Sequence, residues 1–165
     1  MPDDVKTASR YKQDFAAWAY EQADALRAAR DALARRIHDK TLDALDWDNL
    51  VEEIEGLAQR DRRELESRIA LIVEHLAKLQ HSPARDPRAG WTATVGRSRL
   101  DMQAVLEDSP SLRREVPVIV AKVAASAIQV AARSLTENGE EEAASAVRQA
   151  PGYTPDQILG DWWPQ

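Results

Sequence analysis

Two groups of residues in this chain have types and spacings that could do chemistry. The first is the acid run Asp46, Asp48, Glu52 and Glu53, with His75 further along. Carboxylates and an imidazole are the usual general acids and bases, so an uncharacterised carboxylate/His enzyme is one reading. The second is "RDPRAGWTATVGRSR", where Arg85, Arg88, Arg97 and Arg99 surround Trp91. Guanidinium and indole groups together suit phosphate contact and stacking, so a nucleic-acid or phosphate-ligand site is another reading. The paired Trp162 and Trp163 near the end add a third candidate contact, since two indoles on so short a segment are not both expected to face inward.

The elements that must carry these residues are all helical. Charged residues make up 30% and hydrophobic residues 44% of the 165 positions, aromatics only 5%, and alanine is plentiful, which favours helices in one folded domain. From Ser9 to about Arg30, Phe15, Trp18, Gln22, Ala25, Leu26 and Ala29 recur at helical spacing, and Leu33 and Ile37 extend the stripe. Residues 1–8 read as a flexible tail. Asp46 is the expected N-cap of a second, long helix, with Leu45 and Leu50 placed for a hydrophobic staple and Asp48, Glu52 and Glu53 near the positive end of the helix dipole. Leu50, Ile54, Leu57, Leu65, Ile69, Ile72, Leu76 and Leu79 form its apolar stripe. The acids are thereby explained as cap and wet face, while Asp61 and Arg68 lie near the stripe and should be paired.

His81 to Gly90 reads as a loop, and a third helix follows with Trp91, Val95, Met102, Val105 and Leu106 inward. Ser109 before Pro110 reads as an N-cap, and Pro117 implies a short turn before a main fourth helix, Val116 to Thr136. Its expected core residues are Val116, Ile119, Val120, Val123, Ala127, Val130, Ala131 and Leu135. Asn138 and Gly139 end it, a short helix follows, and Thr154, Pro155 and Gln157 form a capping box before the tryptophans. The expected fold is all-α: a single-domain antiparallel bundle of about four main helices plus short C-terminal ones, over residues 1–165.

Composition narrows the function classes. With no cysteine, disulfides, thiolate nucleophiles and Cys-based metal sites are excluded. The residues three before His38, His75 and His81 are Arg35, Ile72 and Lys78, so the Glu-x-x-His spacing of a helical metal site is absent. Neither a nucleophile elbow nor a phosphate loop appears. No metal, cofactor or catalytic residue is expected. Apolar runs such as Val118 to Ala132 are interrupted by Lys122, and no export signal is visible, so a cytoplasmic protein away from the membrane is expected. The charge of -6 is uneven: residues 1–59 hold 8 Lys+Arg against 13 Asp+Glu, 60–114 hold 11 against 8, and 115–165 hold 3 against 7. Complementarity between neighbouring helices explains this, with Arg99 paired to an acid of the second helix. The low pI of about 5.1 argues against nucleic acid as a partner.

"YKQDFAAWAYEQADALR", "LDWDNLVEEIEGL", "EHLAKLQ", "WTATVGRSRLDMQAVLEDSPSL" and "YTPDQILGDWWP" resemble domain-of-unknown-function family 29, a bacterial family, in order and over nearly the whole chain. The resemblance implies an α-helical single domain and brings no catalytic residues. Two departures stand out: "DALARRIHDKT" is longer than the usual link, and Tyr153 stands where Trp is common. The leading expectation is a non-enzymatic module that binds another protein, or itself.

Overall fold

The computed structural model describes residues 10–33, 42 and 44–165. The expected tail at 1–8 and most of the link after Leu33 lie outside them. Among the described residues, α-helices follow in order: α1 Phe15–Leu33, α2 Trp47–His81, α3 Arg88–Asp108, α4 Val116–Glu137, α5 Glu141–Gln149 and α6 Pro155–Leu159, with a 3-10 turn Pro110–Glu115 before α4. A further helical turn covers 10–13, and no strand occurs among the described residues. The fold is all-α. The chain forms two compact units, the first from residues up to Arg63 together with Leu106–Leu112, the second from Glu64–Val105 and Arg113–Gln165.

The first unit is organised by two aspartates and two serines. Asp14 caps α1, accepting from Ala17 N at 3.0 Å. It also accepts from Ser111 N and Ser111 Oγ, each at 2.8 Å. Ser109, fully buried, accepts the Ala16 N–H at 3.0 Å and donates to Asp61 at 2.8 Å. The Ser109 side chain therefore serves the first turn of α1, not a helix of its own as the sequence suggests. Pulling this end of α1 inward puts Ala16, Ala19 and Ala23 at the core. The expected stripe is rotated away: Ala25 is exposed and Phe15, Trp18 and Leu26 are half-buried. Small side chains let backbones approach where Leu and Trp would hold them apart.

At the start of α2, Asp46 accepts from Asn49 N at 3.3 Å and from Asn49 Nδ2 at 2.6 Å. Leu45 and Leu50 are 44% and 43% exposed, so the expected staple buries little. The inward positions are Val51 and Ala58, seven apart and in phase with Leu65 and Ile72, while Ile54 and Leu57 are half-buried. Arg27 pairs with Glu55 at 2.5 Å, and Arg30 pairs with Asp48. Asp46→Ala should lower the unfolding free energy by about 0.5–2 kcal/mol, the usual loss for an N-cap. Urea denaturation reads this directly, and an unmoved midpoint would refute the cap's contribution.

In the second unit, Leu65, Ile69, Ile72, Val73 and Leu76 of α2 meet a core that also holds Val95, Met102, Val116, Ile119, Ala131 and Leu135. Helix α4 packs on α5 and touches α6. Val130, expected inside, is 51% exposed, and Ala132 is buried instead. The inward face of α4 shifts along its length, and the smaller residue takes the closer approach. The stretch Pro110–Glu137 is long and apolar enough to cross a bilayer by length and composition, and 39% of its most apolar window is buried in the protein. Lys122 on its open side pairs with Glu66 at 2.7 Å. The helix ends in a Schellman turn: Gly139, at φ 79°, donates to Thr136 O, and Glu140 donates to Leu135 O, both at 2.9 Å. Arg68 pairs with Glu64 and Asp101. Lys78 is buried, 6% exposed, with its ammonium 2.6 Å from Glu74.

Candidate functional site

The second unit brings Arg99 of the Arg/Trp stretch into contact with the C-terminal turn. Helix α6 has five residues, too few to stand alone. Thr154 and Gln157 close a capping box at its start, Ile158 is fully buried, and Arg99 holds its far end. Arg99 Nε donates to Ile158 O at 3.1 Å, and Nη2 donates to Gln157 O at 2.8 Å and to Trp162 O at 2.7 Å. The Gln157 and Ile158 carbonyls lie in the last turn of α6, the negative end of the helix where a cation belongs, and that of Trp162 lies beyond it. The guanidinium carbon also sits 4.9 Å from the centre of the Trp163 ring. Burial lowers the Arg99 pKa, against the opposing pull of Asp161. The expected partner, an acid of the second helix, is replaced by the carbonyls that the closing turn presents.

Trp162 and Trp163 divide their work. Trp162 is half-buried with its ring 5.8 Å from that of Tyr153. Tyr153 is 8% exposed, donates to Gln80 Oε1 at 2.8 Å, and has its pKa raised by burial. Trp163 stays 38% exposed and forms one wall of a cleft of about 360 Å³ with Leu79, Arg88, Thr92 and Pro164. Arg88 is steadied by a 3.3 Å bond from Nη1 to Ser82 O. The cleft thus offers an apolar floor, an aromatic wall, a hydroxyl and one cation.

Of the sequence-derived candidates, Arg88 and Trp163 meet in this cleft, and Arg99 and Trp162 brace it. Arg85 and Arg97 are exposed and Trp91 is half-buried within α3, and none of the three lines it. Leu79, Thr92 and Pro164 were not singled out by sequence. Thr92 lies one turn beyond Arg88, a signal for a shared face, but nothing in the sequence says that the chain end closes over that face.

The acid and histidine residues do not gather into a catalytic group. Asp46 caps α2, Asp48 pairs with Arg30, and Glu52 and Glu53 are exposed. His75 Nδ1 lies 2.9 Å from Leu71 O of its own helix. A recess of about 500 Å³ is lined by His81 and Glu140–Glu142. There Glu140 already accepts from Ser82 Oγ at 2.5 Å, His81 Nε2 is buried without a partner, and burial lowers the His81 pKa. Among the described residues no group of three or more His, Asp or Glu is placed to hold a metal.

The profile of the family described as domain of unknown function DUF29 matches residues 10–163, and the chain belongs to that family. Among solved structures the chain is similar to an α-helical protein of unknown function from Rhodospirillum rubrum ATCC 11170. That similarity has 25% identity and a TM-score of 0.64, over 92% of this chain and 89% of the other. No curated protein matches. Family and structural neighbour alike carry no established activity.

Proposed function

We propose that this member of the family is a non-enzymatic cytoplasmic module that grips a partner protein, or a second copy of itself, at the Trp163 cleft. The observation that supports this is the lining: Leu79, Thr92, Trp163 and Pro164 beside a single steadied cation, Arg88. Such a cleft suits one side chain or chain end with an apolar body and a carboxylate. An aromatic wall held in place by its neighbours costs little entropy on binding.

Nucleic acid fits less well. Tracking a phosphate backbone takes several cations in line, since each neutralised phosphate adds to the affinity. Here Arg99 is engaged by three carbonyls, and Arg88 alone of the four arginines lines the cleft.

A photo-reactive residue at Thr92, introduced in the native host, tests the reading. It should form a discrete protein adduct that disappears in Trp163→Ala and Arg88→Glu backgrounds. The same probe at exposed Glu53 should form none. No adduct at Thr92, or one removed by nuclease, would overturn the proposal.

A further inference from the structure

The first unit contains a cleft of different chemistry, about 430 Å³, lined by Tyr11, Lys12, Phe15, Asp61 and Asp108. It shares no residue with the Trp163 cleft, and its chemistry is independent of any partner bound there. We propose that this cleft binds an organic cation, a guanidinium or ammonium carried on an apolar stem.

Two features converge on that ligand. The first is a fixed aromatic surface open to solvent. Tyr11 is 49% exposed, and its ring lies edge-to-face with Phe15 at 5.5 Å and with Trp18 at 4.8 Å. Phe15 stacks in turn on Trp18 at 5.8 Å. Aromatic faces of this kind attract cations and cover their apolar stems. The second is a half-buried carboxylate held in one orientation without a counter-cation. Asp61 Oδ2 accepts from Ser109 Oγ at 2.8 Å, and Ser109, fully buried, is itself fixed by the Ala16 N–H at 3.0 Å. Among the described residues no Lys or Arg is paired with Asp61, which leaves Oδ1 able to accept from a guest. Asp108, exposed on the rim, adds a second negative charge against the one positive charge of Lys12.

A metal ion is the wrong guest. Calcium takes six to eight oxygen ligands at roughly 2.3–2.6 Å and magnesium near-ideal octahedral oxygen, whereas this lining supplies two carboxylates and two aromatic rings. A guanidinium or alkylammonium uses both parts: its N–H groups reach Asp61 while its stem or face lies on Tyr11 and Phe15.

The test is titration of the full chain followed by NMR, with N-acetyl-arginine amide, n-butylammonium and, as the anionic control, N-acetyl-glutamate amide. The cations should give saturable shifts at Tyr11 and Phe15 and the glutamate analogue none. Asp61→Asn keeps an acceptor for Ser109 and so keeps the fold, yet should weaken binding about tenfold or more, as should Tyr11→Ala. Asp156→Asn, a carboxylate of the second unit, should change nothing. An arginine-containing peptide that binds about tenfold tighter than the amide identifies a protein side chain as the source. Equal or tighter binding of the small amines identifies a free cation. Absence of saturable shifts at millimolar cation, or shifts unaltered by Asp61→Asn in a folded protein, would overturn the proposal.

Discussion

Glu74→Ala should lower the unfolding free energy by about 3–5 kcal/mol, the loss seen when one member of a buried ion pair is removed. The reason lies on α2, where Lys78 is 6% exposed and its ammonium meets Glu74 at 2.6 Å. Truncating the acid leaves an unpaired charge on a side chain that is almost wholly buried. That charge must then drag water inward or disrupt the packing. The pair itself is worth much less than this loss suggests. Glu74→Leu with Lys78→Met, which removes both charges and fills the space, should recover most of the stability. Urea unfolding of the three proteins makes the comparison. A single-mutant loss below about 1 kcal/mol would place the interaction in the range of surface pairs and show that Lys78 reaches solvent.

Arg99→Ala should cost about 1.5–3 kcal/mol, the range for hydrogen bonds to a charged group, and the damage should be local. Three carbonyls, those of Gln157, Ile158 and Trp162, lose their donor together. The five-residue α6 then keeps only its capping box and the Ile158 anchor. Arg99→Lys should recover a minor part, because an ammonium is a point charge that cannot fork to three acceptors as a planar guanidinium does. Hydrogen exchange provides the readout. Residues 155–163 should lose protection while Leu65 to Leu76 retain theirs, and a uniform loss across the unit would refute the local clamp. The wall formed by Trp163 should be lost with it, so both variants should also abolish the Thr92 adduct.

How much of this was legible depended on the range of the interaction. Features determined within one turn of helix could be read directly: the Thr154/Gln157 box, the 3-10 turn forced by Pro110 and Pro117, and the Asn138/Gly139 stop. Helix class followed from apolar spacing, and the family from ordered motifs. Facing was harder. Periodicity marks an arc about a hundred degrees wide, and the choice between Leu50 or Val51, and between Val130 or Ala132, was made by how closely a neighbour approached. Long-range polar contacts were not legible at all. Arginine shows no preference in sequence between a carboxylate on a nearby helix and a set of carbonyls 58 to 63 residues away, and Arg99 takes the carbonyls. The same holds for Ser109, whose local environment announces a cap while its hydroxyl serves a helix 93 positions earlier.

That serine also imposes an order on biosynthesis. The first unit closes only when residues 106–112 are present, because Ala16 waits for Ser109 and Asp14 for Ser111, 93 and 97 positions downstream. At translation rates of roughly 5–20 residues per second, the nascent chain carries α1 and the start of α2 for several seconds before their seal emerges. The part of that surface that ends fully buried is modest. The buried residues of α1 are Ala16, Ala19 and Ala23, and those of α2 in the same unit are Val51 and Ala58. An alanine seam offers chaperones and neighbouring nascent chains little to hold, so the face best suited to close packing at the end is also the one least prone to aggregate while it waits.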